Sequence, residues 1–260
     1  MVNSRLGIPV ALFLILSSCS IIKENRDSCP CSLQVEISGL TGARATLLVK
    51  SMSDSSYVER LSVERDTLLT LFVPRGGVTL SAWSGAPAGD AFIIPSGSQA
   101  PPLYLYYGKV DTRGDLAYAD IRLHKQFCTL TLEVEGPPGW GMPIGTAVRG
   151  YASGMSLTGA IIPGVYLYSP SAPAVVDGNT VRIGTIRVPR QKPDSQLHLD
   201  IVMEDNIIRT FSLGAYLQKA GYNWTSTDLA DITVHMDLSV SAITFLPLEQ
   251  SQTVTMTVDI

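Results

Sequence analysis

Charge is scarce in this sequence. Only 16% of the 260 residues are Asp, Glu, Lys or Arg, and the formal net charge is -4. No basic stripe runs along the chain, which argues against nucleic acid as a partner. Histidine is rarer still: His124, His198 and His235 are the whole supply. No two of them stand four residues apart, so the paired-histidine helix of a zinc hydrolase is absent. His198 and His235 fall on the polar phase of alternating segments and are expected to be exposed strand residues. No Gly-x-Ser-x-Gly elbow occurs, and no phosphate-binding or dinucleotide-binding glycine pattern follows a strand. Asp228-Leu229-Ala230-Asp231 lacks the alternating oxygen ligands and glycine of a calcium loop, and reads as a cap on the turn before the next strand. No carboxylate pair can be nominated for glycoside hydrolysis. The chain is therefore expected to be no enzyme, with no cofactor and no metal.

Long apolar runs are missing too, with one exception. Residues 7–16 form a short apolar run, and nothing later reaches the roughly 18 residues that a membrane-spanning helix needs. Arg5 precedes the run, and Ser17, Ser18 and Cys19 follow it, which is the layout of a removable secretory signal. Leu16-Ser17-Ser18-Cys19 resembles the bacterial lipobox, in which the chain is cut before the cysteine and acylated there. Residues 1–18 are thus expected to be a signal peptide, Cys19 the lipidation site, and 19–30 a lipidated tether. Several acyl chains, at roughly 0.8 kcal/mol per buried CH₂, hold a protein on a membrane almost irreversibly.

Only four cysteines occur. With Cys19 committed to lipid, Cys29, Cys31 and Cys128 remain, enough for one disulfide in an oxidising compartment. Pro30 makes a bridge between Cys29 and Cys31 strained, and pairing Cys128 with either is easier. The pairing stays open.

Against these shortages, the chain is rich in Gly (22) and Pro (16), with abundant Ser and Thr. That mix belongs to turn-rich β-proteins. From Cys31 the pattern has period two, with Leu33, Val35 and Ile37 alternating with Ser32, Gln34 and Glu36. Further strands are expected at 46–50, 67–73, 78–83, 103–107 and 117–123, separated by Gly, Pro and Ser clusters. Residues 124–126 mark the expected boundary between an N-terminal β-sandwich, 31–125, and a C-terminal one, 126–260. In the second, strands are expected from Cys128 to Val134, then near 144–151, 164–168, 180–188, 197–204 and 207–211, and from Ile232 to Val240. Leu213, Tyr216, Leu217 and Ala220 sit at helical spacing, with Ser212 as cap and Gly221 as stop. The last strand, 253–260, puts Val254, Met256, Val258 and Ile260 on one face. The fold class expected is all-β, two tandem antiparallel sandwiches with one short helix in the second.

Four stretches carry a resemblance. They are Asp27-Ser28-Cys29-Pro30 behind the lipobox; Val148-Arg149-Gly150-Tyr151-Ala152-Ser153-Gly154 with Leu157-Thr158-Gly159; Phe211-Ser212-Leu213-Gly214-Ala215-Tyr216-Leu217; and Gly221-Tyr222-Asn223-Trp224 with Leu229-Ala230-Asp231-Ile232 and Met236-Asp237. Together they resemble the FimB-type fimbrial anchor subunits of Bacteroidales, within the fimbrillin superfamily. Cys31 is an extra thiol against that pattern, and no tryptophan follows Ile243-Thr244. The resemblance implies transthyretin-like sandwiches and a surface-exposed, lipid-anchored place in the outer membrane, at the base of an adhesive fimbrium (pilus). It also implies a stalk subunit as partner, joined by β-strand exchange or edge pairing. The terminal strand has only Asp259 as a guarding charge, so it can pair at an edge.

Two other readings compete. A stalk or tip pilin of the same superfamily loses its N-terminal segment after an arginine, and Arg44, Arg60 and Arg65 are available. A surface glycan-binding lipoprotein would stack sugars on Tyr104, Tyr106 and Tyr107, or on Trp140 and Trp224.

Overall fold

The structure is a computed structural model, and it describes residues 29–40, 44–87, 89–135, 143–170, 175–177, 180–194, 196–203, 208–237, 242–247 and 254–257. The expected signal peptide 1–18, Cys19 and Trp140 lie outside the described residues. The first half contains β1 (Cys31–Ser38), β2 (Ala45–Ser51), β3 (Val58–Val63), β4 (Thr67–Val73) and β5 (Val78–Ser84). It continues with β6 (Ala91–Ile93), β7 (Tyr104–Val110), β8 (Leu116–Arg122) and β9 (His124–Lys125). The second half contains β10 (Phe127–Glu135), β11 (Pro143–Ser156), β12 (Ile161–Tyr168), β13 (Val175–Asp177) and β14 (Thr180–Pro189). After these come β15 (His198–Met203), β16 (Ile208–Phe211), α1 (Leu213–Lys219), β17 (Ile232–Asp237), β18 (Ala242–Pro247) and β19 (Val254–Thr257).

The all-β sandwich is the observed class. In the first half a three-stranded sheet, β4-β1-β8, faces a five-stranded one, β3-β2-β5-β7-β9. In the second, β13-β14-β10-β17-β18-β19 faces β12-β11-β15-β16. Pairing is antiparallel except at β1 with β8 and at β10 with β17, which run parallel. Alternation does the work of placing residues. Cys31, Leu33, Val35 and Ile37 of β1 are buried to 1% exposure or less, while the residues between them face outward. Cys128, Leu130, Leu132 and Val134 of β10 do the same in the second half. Every strand expected in the first half is present; β6 and β9 are additions, and so is β3. The sequence 58–63 hides it, because its outward phase is exposed and only Val63 is fully buried. β13 and β18 are the additions in the second half.

The helix is where the spacing places it. Leu213 and Leu217 are buried, and Tyr216 and Ala220 pack against the second core. Ser212 caps through its carbonyl, which accepts from the Tyr216 N–H at 3.2 Å, while its side chain makes no cap bond. Gly221 ends the helix at φ +79°, a left-handed turn that glycine takes without strain.

A segment of the first half is built into the second. Between β5 and β7 the chain leaves its own sandwich, pairs β6 antiparallel with the end of β11, and returns. On the way the Ile94 N–H donates to Ser153 O at 2.8 Å, and Arg187 Nε donates to Ala100 O at 2.8 Å. Ile94 and Ala100 are thereby buried in the second core. Gly85 closes this strap. Its φ is +79°, and a Cβ there would lie 1.9 Å from Pro102 O, so only glycine lets the strap's two ends meet. A third apolar cluster then fills the space between the sandwiches: Leu48, Trp83 and Leu105 from the outer face of the first, Phe92 and Leu103 from the strap, and Met155 and Leu157 from the second.

Candidate functional site

Among the described residues, no three His, Cys, Asp or Glu side chains gather to hold a metal. The histidines are scattered. His124 Nδ1 stands 3.1 Å from Asp228 Oδ2. His235 lies between Glu133, at 3.7 Å, and Glu135, at 3.4 Å. His198 was expected to be exposed and is half-buried, with Nδ1 shut away from solvent and unpartnered. The reason is position: β15 is an interior strand between β11 and β16, so even its polar phase is shielded.

The polar groups do concentrate at one place, the crossover from β9 into β10. Asp228 Oδ1 accepts from the Lys125 N–H at 2.7 Å. Asp231 Oδ1 accepts from Lys125 Nζ at 2.5 Å and from the Thr129 N–H at 2.6 Å. Burial raises both carboxyls, but the bonds from Lys125, His124 and Thr129 outweigh it and hold them below the usual range. Arg190 completes the clamp, donating through Nε to Gln126 Oε1 at 2.8 Å, through Nη1 to Trp224 O at 2.5 Å and through Nη2 to Thr227 O at 3.2 Å. The Asp228–Asp231 pair thus ties the 223–231 loop to the crossover, more than 90 residues earlier in the chain, rather than only capping a local turn.

Beside the clamp is an open cleft of about 430 Å³, lined by Tyr107, His124, Arg190, Thr158 and the 225–227 hydroxyls. Of the described candidate stacking aromatics, Tyr106 and Tyr107 line the cleft, and Tyr104 and Trp224 do not. Tyr106 packs against the first core, Tyr104 meets Phe127 edge-on at 5.7 Å, and Trp224 is 3% exposed against Tyr222. Tyr107 is half-buried.

Cys29, Cys31 and Cys128 are free thiols. Cys31 lies in the first core and Cys128 in the second, where burial pushes its thiol up to about 12 beside the Tyr222 hydroxyl. Cys29 is exposed where the chain enters β1. Arg75 fixes that entrance: it donates to Cys29 O at 2.8 Å, to Arg113 O at 2.6 Å, and to the Asp115 carboxylate.

Two surfaces remain. β19 is the outermost strand of the six-stranded sheet, paired on one side with β18. The solvent face of β4-β1-β8 carries Leu68, Phe72, Leu116 and Tyr118, all exposed. Sequence reasoning passed over this face. Its signal was in β4, where the run Leu68-Leu69-Thr70-Leu71-Phe72-Val73 is apolar on both phases of the alternation.

No family model and no curated protein matches the sequence. Solved structures do. A Bacteroides thetaiotaomicron protein described as a candidate polysaccharide-binding protein is 13% identical, with a TM-score of 0.62 over 85% of this chain and 100% of its own. The fimbrial anchor protein Mfa2 from Porphyromonas gingivalis is 13% identical, with a TM-score of 0.60 over 86% of this chain and 99% of its own. A candidate adhesin from Bacteroides thetaiotaomicron is also 13% identical, with a TM-score of 0.55 over 84% and 96%. The structural neighbours are therefore Bacteroidales fimbrial anchor and adhesin proteins, and the fold of this chain is theirs.

Proposed function

We propose that this protein is a non-enzymatic outer-membrane lipoprotein, acylated on Cys19, that anchors an adhesive fimbrium to the cell surface and assists its assembly. The observation that carries this reading is the overlap with a fimbrial anchor over 86% of this chain and 99% of that one, both sandwiches included. The lipobox ahead of β1 supplies the anchor itself. The partner is a fimbrial stalk subunit, joined by strand exchange or edge pairing, and β19, the outermost strand of its sheet among the described residues, is the edge offered to it. A stalk pilin would lose the chain up to an early arginine. Here cleavage after Arg44, Arg60 or Arg65 would remove β1, the central strand of its sheet, with four buried residues. That would open the sheet in the way that strand exchange fills, so retention of Cys19 in the mature protein is what separates the two readings. No helix among the described residues is long and apolar enough to cross a membrane.

Immunogold labelling of intact cells, with mass spectrometry of the mature N-terminus, tests the proposal. Gold at filament bases with acylated Cys19 retained is the expected result. Gold along shafts, with the N-terminus beginning after an early arginine, would make the protein a stalk pilin.

A further inference from the structure

We infer that the solvent face of the β4-β1-β8 sheet rests on the lipid surface, so that the anchor is held by its acyl chains and by an apolar sheet face together. This rests on the proposed acylation of Cys19.

The face is laid out in rows by the strand register. Phe72, Ser32 and Leu116 form the first row, Thr70, Gln34 and Tyr118 the second, and Leu68, Glu36 and Asp120 the third. Phe72 is 68% exposed, Leu116 63%, Leu68 58% and Tyr118 55%. Neighbouring strands lie about 4.8 Å apart, so Phe72 and Leu116 flank Ser32 within about 10 Å of each other. Clustered exposed side chains of this size mark a contact surface.

Three observations select a bilayer as the occupant. First, the chain enters β1 beside the most apolar row, since Ser32 follows Cys29 by three residues. Residues 19–28 span at most about 35 Å when extended, so lipid on Cys19 keeps this end of the sandwich at the membrane. Second, the row nearest the entrance is Phe72, Ser32 and Leu116, with no charge of its own, while Glu36 and Asp120 stand beside Leu68 in the far row; the charges at the entrance are paired, Arg75 with Asp115 and Arg113 with Asp111. An aromatic and a leucine side chain beside arginines is a composition that suits the headgroup boundary of a bilayer. Third, the same face of the second sandwich is polar. There β10 and β17 point Thr129, Thr131, Glu133, Thr233 and His235 outward. The topology is shared, so the apolarity of the first face is not a requirement of the fold.

The test uses full-length acylated protein in phosphatidylethanolamine and phosphatidylglycerol vesicles, in a Cys29→Ser background. An environment-sensitive fluorophore is attached at Phe72→Cys, and in a second sample at Thr131→Cys on the counterpart face. The expected result is a several-fold rise in emission at position 72 with quenching by a shallow lipid nitroxide, and neither change at 131. Equal responses at the two positions, or none, would overturn the inference. So would a response at 72 that arises only when a stalk subunit or a second copy of the chain is added. Mass spectrometry of the same samples separates the two levels. Acylated protein with a silent position 72 overturns the face alone, whereas protein with no acyl group on Cys19 overturns the anchor proposal as well.

Discussion

The two sandwiches repeat one plan and spend it differently. In each, the first strand is central to its sheet, antiparallel to one neighbour and parallel to the strand that closes the unit: β4-β1-β8 in the first, β14-β10-β17 in the second. In each, the opposing sheet runs in the order third, second, fifth, sixth strand of the unit: β3-β2-β5-β7 and β12-β11-β15-β16, counting past β6 and β13. The second sandwich then adds α1 over its core and extends the parallel edge with β18 and β19. In the first, β4 and β8 end their sheet among the described residues, and the outward phase carries the exposed Leu68, Phe72, Leu116 and Tyr118. A shared topology therefore sets which residues face inward, and leaves the outward face free to be specialised in each copy.

The largest expected effect comes from separating the copies. Trp83 is 1% exposed and meets Phe92 edge-on at 5.7 Å in the cluster between them. Trp83→Ala is expected to cost about 3–5 kcal/mol. It should also split one denaturant transition into two, followed by fluorescence of the remaining tryptophans and by far-ultraviolet circular dichroism. A single transition of undiminished midpoint would show that the sandwiches do not depend on this contact.

Next is the clamp at the crossover. Asp231→Ala leaves Lys125 Nζ and the Thr129 N–H without their acceptor, and is expected to cost about 2–3 kcal/mol in urea unfolding. The same contacts set a pH dependence. The folded carboxyls of Asp228 and Asp231 are held below their ordinary values, so their contribution is present above about pH 3.9 and is lost as pH falls through the lowered folded values. Unfolding midpoints should therefore fall with acidification, and fall less in Asp231→Asn. In the first sandwich the lowered carboxyls, Asp54 and Asp111, are fully exposed, so little acid sensitivity should map there.

Gly85→Ala is a smaller perturbation aimed at the strap. The left-handed backbone alone costs about 1–2 kcal/mol for a side chain, and the Pro102 carbonyl must also move. Hydrogen exchange should rise at Ile94 and Ala100 before it rises in β1. The smallest effect is chemical. Iodoacetamide on the native protein should label Cys29 and spare Cys31 and Cys128, because both of these are buried and Cys128 is also kept protonated. Denaturation should expose all three.

Much of this architecture is legible in the chain. The alternation of 31–38 and 127–135 predicts both central strands, and the helical spacing of Leu213, Tyr216 and Leu217 predicts α1. Short or half-exposed strands such as β3 and β6 are not legible, because few of their residues are buried and the period-two signal fades. The clamp was half visible. Asp228 and Asp231 read as turn residues, yet their partners at 124–129 are brought to them by the pairing of β10 with β17.

What the sequence alone determined is the inward phase of most strands and one helix. Local periodicity carries these, since burial of alternate side chains needs no knowledge of the partner. Only the tertiary structure decided the parallel closures, the strap threaded into the second sandwich, and the gathering of Leu68, Phe72, Leu116 and Tyr118 on one face. Those depend on which strands lie side by side, and β4 and β8 meet through β1 across dozens of intervening residues.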